Sequence, residues 1–230
     1  MPFFFWDWTM VLLVPALLLS LYAQWKVSST FNKYSKVPSA YGRDGAQAAR
    51  RLLDGAGLSN VSIEVAGGSG LSDHYDPRSK TLRLSKNVGG SSSLAALGVA
   101  AHEVGHAVQD AREYAPMRVR GSLVPVANLG SSLGIILFMI GFFLGDAGPL
   151  LMNLGIVFFS GAVLFTLVTL PVEFNASSRA MTMLSNQGIL SSVELDGARA
   201  VLRAAALTYV AAALMAILQL VRLVVLSQRR

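Results

Sequence analysis

The sequence predicts an α-helical membrane protein with about four transmembrane helices and a small α+β domain. Three observations point there: a shortage of charge, four long charge-free apolar stretches, and a region of short strand and helix patterns between the first two stretches. Hydrophobic residues make up 53% of the 230-residue chain and charged residues only 14%, against about a quarter charged in a typical soluble domain. No charged residue occurs between Arg120 and Asp146, between Asp146 and Glu173, from Trp8 to Trp25, or from Ala204 to Val221. A hydrocarbon core ~30 Å thick needs about 20 apolar residues in helical form. Backbone groups in hydrocarbon must pair internally, so each stretch reads as a helix, near 4–24, 122–144, 149–170 and 204–225.

The first stretch follows "MPFFFWDW", which has no basic residue ahead of the apolar run and no small-residue cleavage pattern after it. It reads as a retained anchor rather than a signal peptide. Trp6, Trp8 and Trp25 bracket it as interfacial aromatics do. Cysteine is absent, which excludes disulfides, thiolate ligands and thiol nucleophiles. The net charge of +6 suggests anionic lipid rather than nucleic acid, because the basic residues cluster beside the spans. Lys26, Lys33, Lys36 and Arg43 follow the first span, Arg112, Arg118 and Arg120 precede the second, and Arg179, Arg199 and Arg203 separate the third from the fourth. The short turn at 145–148 carries only Asp146. Positive charge on one side places residues 26–120 and 171–203 in the cytoplasm, with Arg222, Arg229 and Arg230 as a counter-signal.

Within the region after the anchor, Ala46, Ala49, Leu52 and Leu53 mark one face of a helix over 43–55, closed by Gly-Ala-Gly. "VSIEV" at 61–65 alternates as a strand does, and "GGSG" breaks it. "DHYDPRSKTLRLS" reads as a hairpin with its turn at Asp76-Pro77-Arg78-Ser79 and a strand through Thr81, Leu82, Arg83 and Leu84. The strand from Lys80 to Ser85 is expected to be an edge on which an extended peptide can add. Serines at 91–93 cap a helix running to about Arg112.

That last helix carries "AAHEVGHAVQ", which holds two of the chain's three histidines. His102 and His106 lie one turn apart, so both imidazoles project from one face, the spacing that grips a single zinc ion. Glu103 sits on the neighbouring flank, where its carboxylate reaches a water rather than the metal. Ala101 and Gly105 keep the helix slim enough for another element to approach closely. Catalytic zinc takes three protein ligands and keeps one open position. The remaining histidine, His74, precedes the helix, so a downstream carboxylate is the natural third ligand. Glu173, Glu194 and Asp196 remain once acids on the same helix or across the membrane are set aside. Glu173 stands where the third span emerges, whereas Glu194 and Asp196 read as first-turn acids of the final helix.

With those residues in place, "SDHYDPRSKTLRLS", "AAHEVGHAVQ" and "LVPVANLGSSLG" make the chain resemble the bacterial membrane neutral zinc metallopeptidases, the YugP-like proteins. It is more distantly similar to HtpX-type membrane zinc proteases, which also separate H-E-x-x-H from a glutamate in an E-F-x-A-D-like motif by a membrane hairpin. The resemblance implies a zincin-like catalytic domain in a multi-pass protein of the bacterial inner (plasma) membrane. It implies one zinc ion per chain held by His102, His106 and Glu173, with Glu103 as the general base. One departure matters: Ser177 stands where that motif ends in Asp, so a carboxylate that would orient a ligand histidine is missing or supplied elsewhere.

The chain is thus expected to comprise an anchor (1–25), a catalytic domain (26–120), a transmembrane hairpin (121–170), a helical third-ligand segment (171–203) and a C-terminal transmembrane helix (204–230). The expected activity is that of a membrane-embedded zinc endopeptidase acting on peptides or unfolded and membrane-protein segments. It would use a zinc-activated water and Glu103 as proton acceptor. His74, Tyr75 and Arg179 are candidate donors to the tetrahedral oxyanion, and His74 and Arg179 have structural readings as well. Two rivals stand beside this reading. One is a scaffold or chaperone that binds zinc or peptide without cleaving. The other is a metal transporter, which would call for acids or histidines inside the internal spans, where none occur.

Overall fold

The computed structural model describes residues 7–66 and 73–229. Trp6, the start of the first apolar run and the "GGSG" break lie outside them. The protein is a helical membrane protein with a small α+β domain. Four of its helices are long and apolar enough to cross a membrane: Trp8–Tyr34, Ala115–Phe143, Pro149–Asn186 and Ser192–Ser227. The chain forms two compact units, each assembled from separated segments. One takes residues up to Ala23, Arg118–Pro171 and Thr208–Arg230; the other takes Gln24–Met117 and Val172–Leu207.

The first unit is built from charge-poor helix. A tight helical turn at Trp8–Leu13, capped by the Asp7 carboxylate, leads into α1 (Val14–Tyr34). The helices α5 (Ala115–Phe143) and α6 (Pro149–Asn186) form a hairpin joined by a short turn at Gly145–Ala147. Small residues let their backbones meet, as is common where helices pack in lipid. A Cβ on Gly134 would fall 2.9 Å from the Phe159 amide nitrogen, and one on Gly155 would fall 2.6 Å from the Gly134 carbonyl. Phe138, Met152, Phe159 and Val163 pack with Leu223 and Leu226 of α7 (Ser192–Ser227) into a buried cluster. Arg222, which opposes the charge pattern in the sequence, is buried here and donates Nε–H to Thr9 Oγ1 at 3.1 Å. Thr9 in turn bonds the Asp7 carboxylate. The Arg229 guanidinium lies over the Trp8 ring, 4.4 Å from its centroid.

The second unit holds α2 (Gly45–Gly55), β1 (Ser62–Ala66), β2 (His74–Asp76), β3 (Thr81–Ser85), α3 (Lys86–Gly89) and α4 (Leu94–Ala111). Asp44 caps α2 and Ser93 caps α4, each accepting a bond from a main-chain amide three residues on. Ala48, Ala49, Leu52 and Leu53 of α2, Leu82 and Leu84 of β3, and Leu97, Ala101 and Val104 of α4 form one core. Ala180 and Leu184 of α6 and Ala198 and Leu202 of α7 join it.

The three strands run in the order β1-β3-β2, with β1 parallel and β2 antiparallel to β3. The expected hairpin therefore forms, but β3 is the central strand and not an edge. Its burial explains the placement: Thr81, Leu82, Leu84 and Ser85 are all buried, as suits a strand covered on both sides. Any strand addition must use β1 or β2.

All four long helices outrun the apolar stretches that predicted them. α1 continues to Tyr34 because Phe31 and Tyr34 reach the second unit's core. α5 begins at Ala115, over Arg118 and Arg120. α6 passes through Pro171 without stopping, so the 171–203 segment is the end of one helix and the start of another. α6 stops at Gly188, whose φ of 62° is the left-handed conformation glycine adopts readily. Ser191 and Glu194 then form a reciprocal cap at the start of α7.

Candidate metal centre

The centre is assembled where α4 crosses α6. Gly105 makes the crossing possible: a Cβ there would lie 2.6 Å from the Ala176 carbonyl oxygen. This close approach brings Glu173 to the histidine face of α4. His102 Nε2 stands 3.2 Å from Glu173 Oε2, and His106 Nε2 stands 3.6 Å from the same oxygen. The two imidazoles meet edge to face with centroids 4.8 Å apart. Ligands about 2.0–2.1 Å from a tetrahedral zinc ion lie ~3.3 Å from one another. The donor spacing fits that geometry, and two imidazoles with one carboxylate fit zinc chemistry. Among the described residues, His102, His106 and Glu173 form a group close enough to hold one metal ion.

Glu173 is only 2% exposed. A carboxylate that deep is costly unless charge or strong donors face it. Glu194 and Asp196, the other candidates, are occupied elsewhere. Glu194 accepts from the Ala40 and Ser191 amides, and Asp196 pairs with Arg199 at 2.5 Å.

Each histidine of this group is also held from behind, as metal-binding imidazoles usually are. His102 Nδ1 meets Ser177 Oγ at 3.1 Å. The position where a carboxylate was expected therefore still contacts the histidine, through a hydroxyl. His106 Nδ1 meets Gln109 Oε1 at 2.9 Å. Gln109, fully buried, reaches across to α6 through the Val172 carbonyl and the Asn175 side chain. Sequence reasoning passed over Gln109 and Asn175. A signal was present: Gln109 is three residues beyond His106 on an apolar helix, a place where a polar side chain needs a reason.

Glu103 lies at the edge of the sheet. Its Oε2 accepts the Tyr75 backbone N–H at 3.1 Å. Burial pushes the Glu103 carboxyl above the usual glutamate range, while the His102 and His106 imidazoles pull against it. The Tyr75 phenol is directed elsewhere, donating to Asp110 Oδ2 at 2.7 Å, and burial and that carboxylate hold it well above the usual tyrosine range. The hydroxyl expected to face an oxyanion thus spends its proton on Asp110, and Tyr75 reaches Glu103 through its amide. His74 is exposed on the other face of β2, beside Arg83, and outside the metal-binding group. Arg179 donates Nε–H to Asn175 Oδ1 at 2.7 Å.

A family model described as "Putative neutral zinc metallopeptidase" matches residues 9–228. The chain belongs to this family. It is 48% identical to the "Putative membrane protease YugP" of Bacillus subtilis (strain 168) over 215 residues, 94% of each chain. No solved structure matches it. Membership supports a zinc-dependent protease in a membrane, and among the described residues His102, His106 and Glu173 form a group whose spacing and chemistry fit zinc.

Enlarging the crossing residue tests this geometry. Gly105→Ala is expected to force α4 and α6 apart and cost about 1–3 kcal/mol of stability. It should also weaken zinc binding in a chelator competition, and unchanged values for both would show that the close approach is not needed.

Proposed function

We propose that the protein is a membrane zinc endopeptidase that hydrolyses peptide bonds in extended or unfolded segments, including those of membrane proteins. The observation carrying this is the convergence of His102 Nε2, His106 Nε2 and Glu173 Oε2 beside a buried glutamate that is not part of the triad. Those three residues hold one zinc ion, making a two-histidine, one-glutamate site. When bound, zinc supplies Lewis acidity that polarises the scissile carbonyl and acidifies water. Glu103 accepts the proton of the attacking water and passes it to the departing amine. Burial raises the Glu103 carboxyl above the usual glutamate range, a direction that favours the second half of that exchange. The Tyr75 amide keeps the carboxylate in place through both halves.

The outer edge of β2 is the natural seat for substrate. β2 is a terminal strand of the sheet, and its Tyr75 amide already touches Glu103. A peptide extended along this edge has its backbone aligned beside the proton acceptor. Only unfolded chain can present itself so, which is why the reading favours flexible segments over folded domains.

The basic residues flanking the spans favour a cytoplasmic catalytic side in a bacterial inner membrane, with lipid phosphate as their partner. The counter-signal of Arg222 carries less weight because that side chain is buried against Thr9.

Glu103→Gln separates the enzyme from a non-catalytic zinc- or peptide-binding scaffold. The variant is expected to keep zinc and lose ~10²–10⁴-fold in peptide cleavage. Cleavage that persists at the parent rate would remove Glu103 as the proton acceptor, and no cleavage by the zinc-loaded parent itself would favour the scaffold. Orientation is read separately. The chain has no native cysteine, so Asp146→Cys provides a single label site. Labelling by an impermeant thiol reagent from the cell exterior is the expected result, and labelling only after the membrane is opened would reverse the orientation.

A further inference from the structure

The hydrogen bonds behind His106 have a direction that can be worked out from chemistry alone. A guanidinium has only donors. Arg179 Nε–H donates to Asn175 at 2.7 Å, so the oxygen of that amide must face it. Gln109 meets the same Asn175 oxygen at 3.0 Å and the Val172 backbone carbonyl at 2.8 Å. Both are acceptors in this arrangement, so the Gln109 amide must turn its NH₂ group toward them. Its oxygen is then left facing His106 Nδ1 at 2.9 Å. A carbonyl oxygen only accepts, so Nδ1 must carry the hydrogen. The lone pair of the neutral ring then sits on Nε2, the atom 3.6 Å from Glu173 Oε2.

We propose that Arg179, Asn175 and Gln109 form a directional hydrogen-bond chain that holds His106 in the one neutral form able to ligate through Nε2. The proposal rests on the zinc-site reading above and makes Gln109 and Arg179 positioning residues. The two histidines are held differently. Ser177 behind His102 is a hydroxyl, which can donate or accept, so it steadies the ring without dictating the tautomer. Gln109 behind His106 has no such latitude, because two acceptors on α6 fix its amide. Two members of the chain, Asn175 and Arg179, and the Val172 carbonyl that accepts from Gln109 lie on the same helix as Glu173. The chain therefore also ties the imidazole of α4 to the stretch of α6 that supplies the carboxylate.

The test uses the purified full-length protein in detergent and reads zinc affinity by competition with a chromophoric chelator. Gln109→Leu is expected to weaken zinc binding ~10–100-fold, as loss of a partner behind a metal ligand does. Arg179→Met, which removes the donor that orients the chain, should give a smaller loss of several-fold by the same mechanism. Arg179→Lys keeps a donor-only head and should recover most of it, a rescue that a merely packing role would not produce. A second readout needs no zinc: nitrogen-15 spectra of histidine-labelled, zinc-free protein at mildly alkaline pH, with only three histidines to assign. His106 should carry its hydrogen on Nδ1 in the parent and show both tautomers in Arg179→Met. If Gln109→Leu fails to fold, the Arg179 pair and the parent spectrum decide.

The idea is overturned if His106→Ala loses zinc while Gln109→Leu and Arg179→Met bind it as the parent does. It is equally overturned if the parent His106 carries its hydrogen on Nε2. Full zinc binding by His106→Ala would instead sink the zinc-site reading, and this proposal with it.

Discussion

The second compact unit depends on one contact, the meeting of a nearly inaccessible Glu173 carboxylate with the Nε2 atoms of His102 and His106. An isolated carboxylate at that depth would be expelled or neutralised. Here it faces two imidazole rings, and the three groups stand close enough to hold one cation together. Without a cation, the hydrogen bond between His102 Nε2 and Glu173 Oε2, 3.2 Å apart, keeps the contact closed. The site is thus both a place for a metal and a junction between two helices that are distant in sequence.

Several features of the chain serve this junction. Gly105 removes the side chain that would hold α6 away, and Ala176 presents a bare backbone to it. Gly98 does the same further along α4, where a Cβ would come within 3.3 Å of Ala198 on α7. The continuity of α6 through Pro171 matters as much. A helix that broke there would leave Glu173 on a loop with many orientations, at an entropic cost of roughly 1–2 kcal/mol for each residue that binding then had to order. On a rigid helix the carboxylate, the Val172 carbonyl, Asn175, Ser177 and Arg179 keep fixed offsets, and all of these except Arg179 meet side chains of α4 directly.

Much of this was legible from the residues. The H-E-x-x-H spacing specifies a shared helical face, the charge-free stretches specify spans, and Glu173 is marked by its position just past the third of them. Helix caps at Asp44 and Ser93 also announce themselves, because a short polar side chain before an apolar periodic run has few other uses. What was not legible depends on tertiary partners. Strand order is one example: the strand at 81–85 has the same local pattern whether it is central or at an edge, and only burial on both sides decides. The lengths of α1 and α5 are another, since polar residues continue a helix when its far end finds a core. The partners of His106 and His102 were hidden for a third reason. Gln109, Asn175 and Ser177 are ordinary polar residues whose roles appear only when two helices cross.

Metal content of the purified protein beside its Glu173→Ala variant tests the central claim most directly. If Glu173 is the third ligand, the parent binds one zinc ion per chain and the variant loses it, or holds it so weakly that a mild chelator strips it, while remaining folded. Stoichiometric zinc retained by the variant at parental affinity would contradict the account.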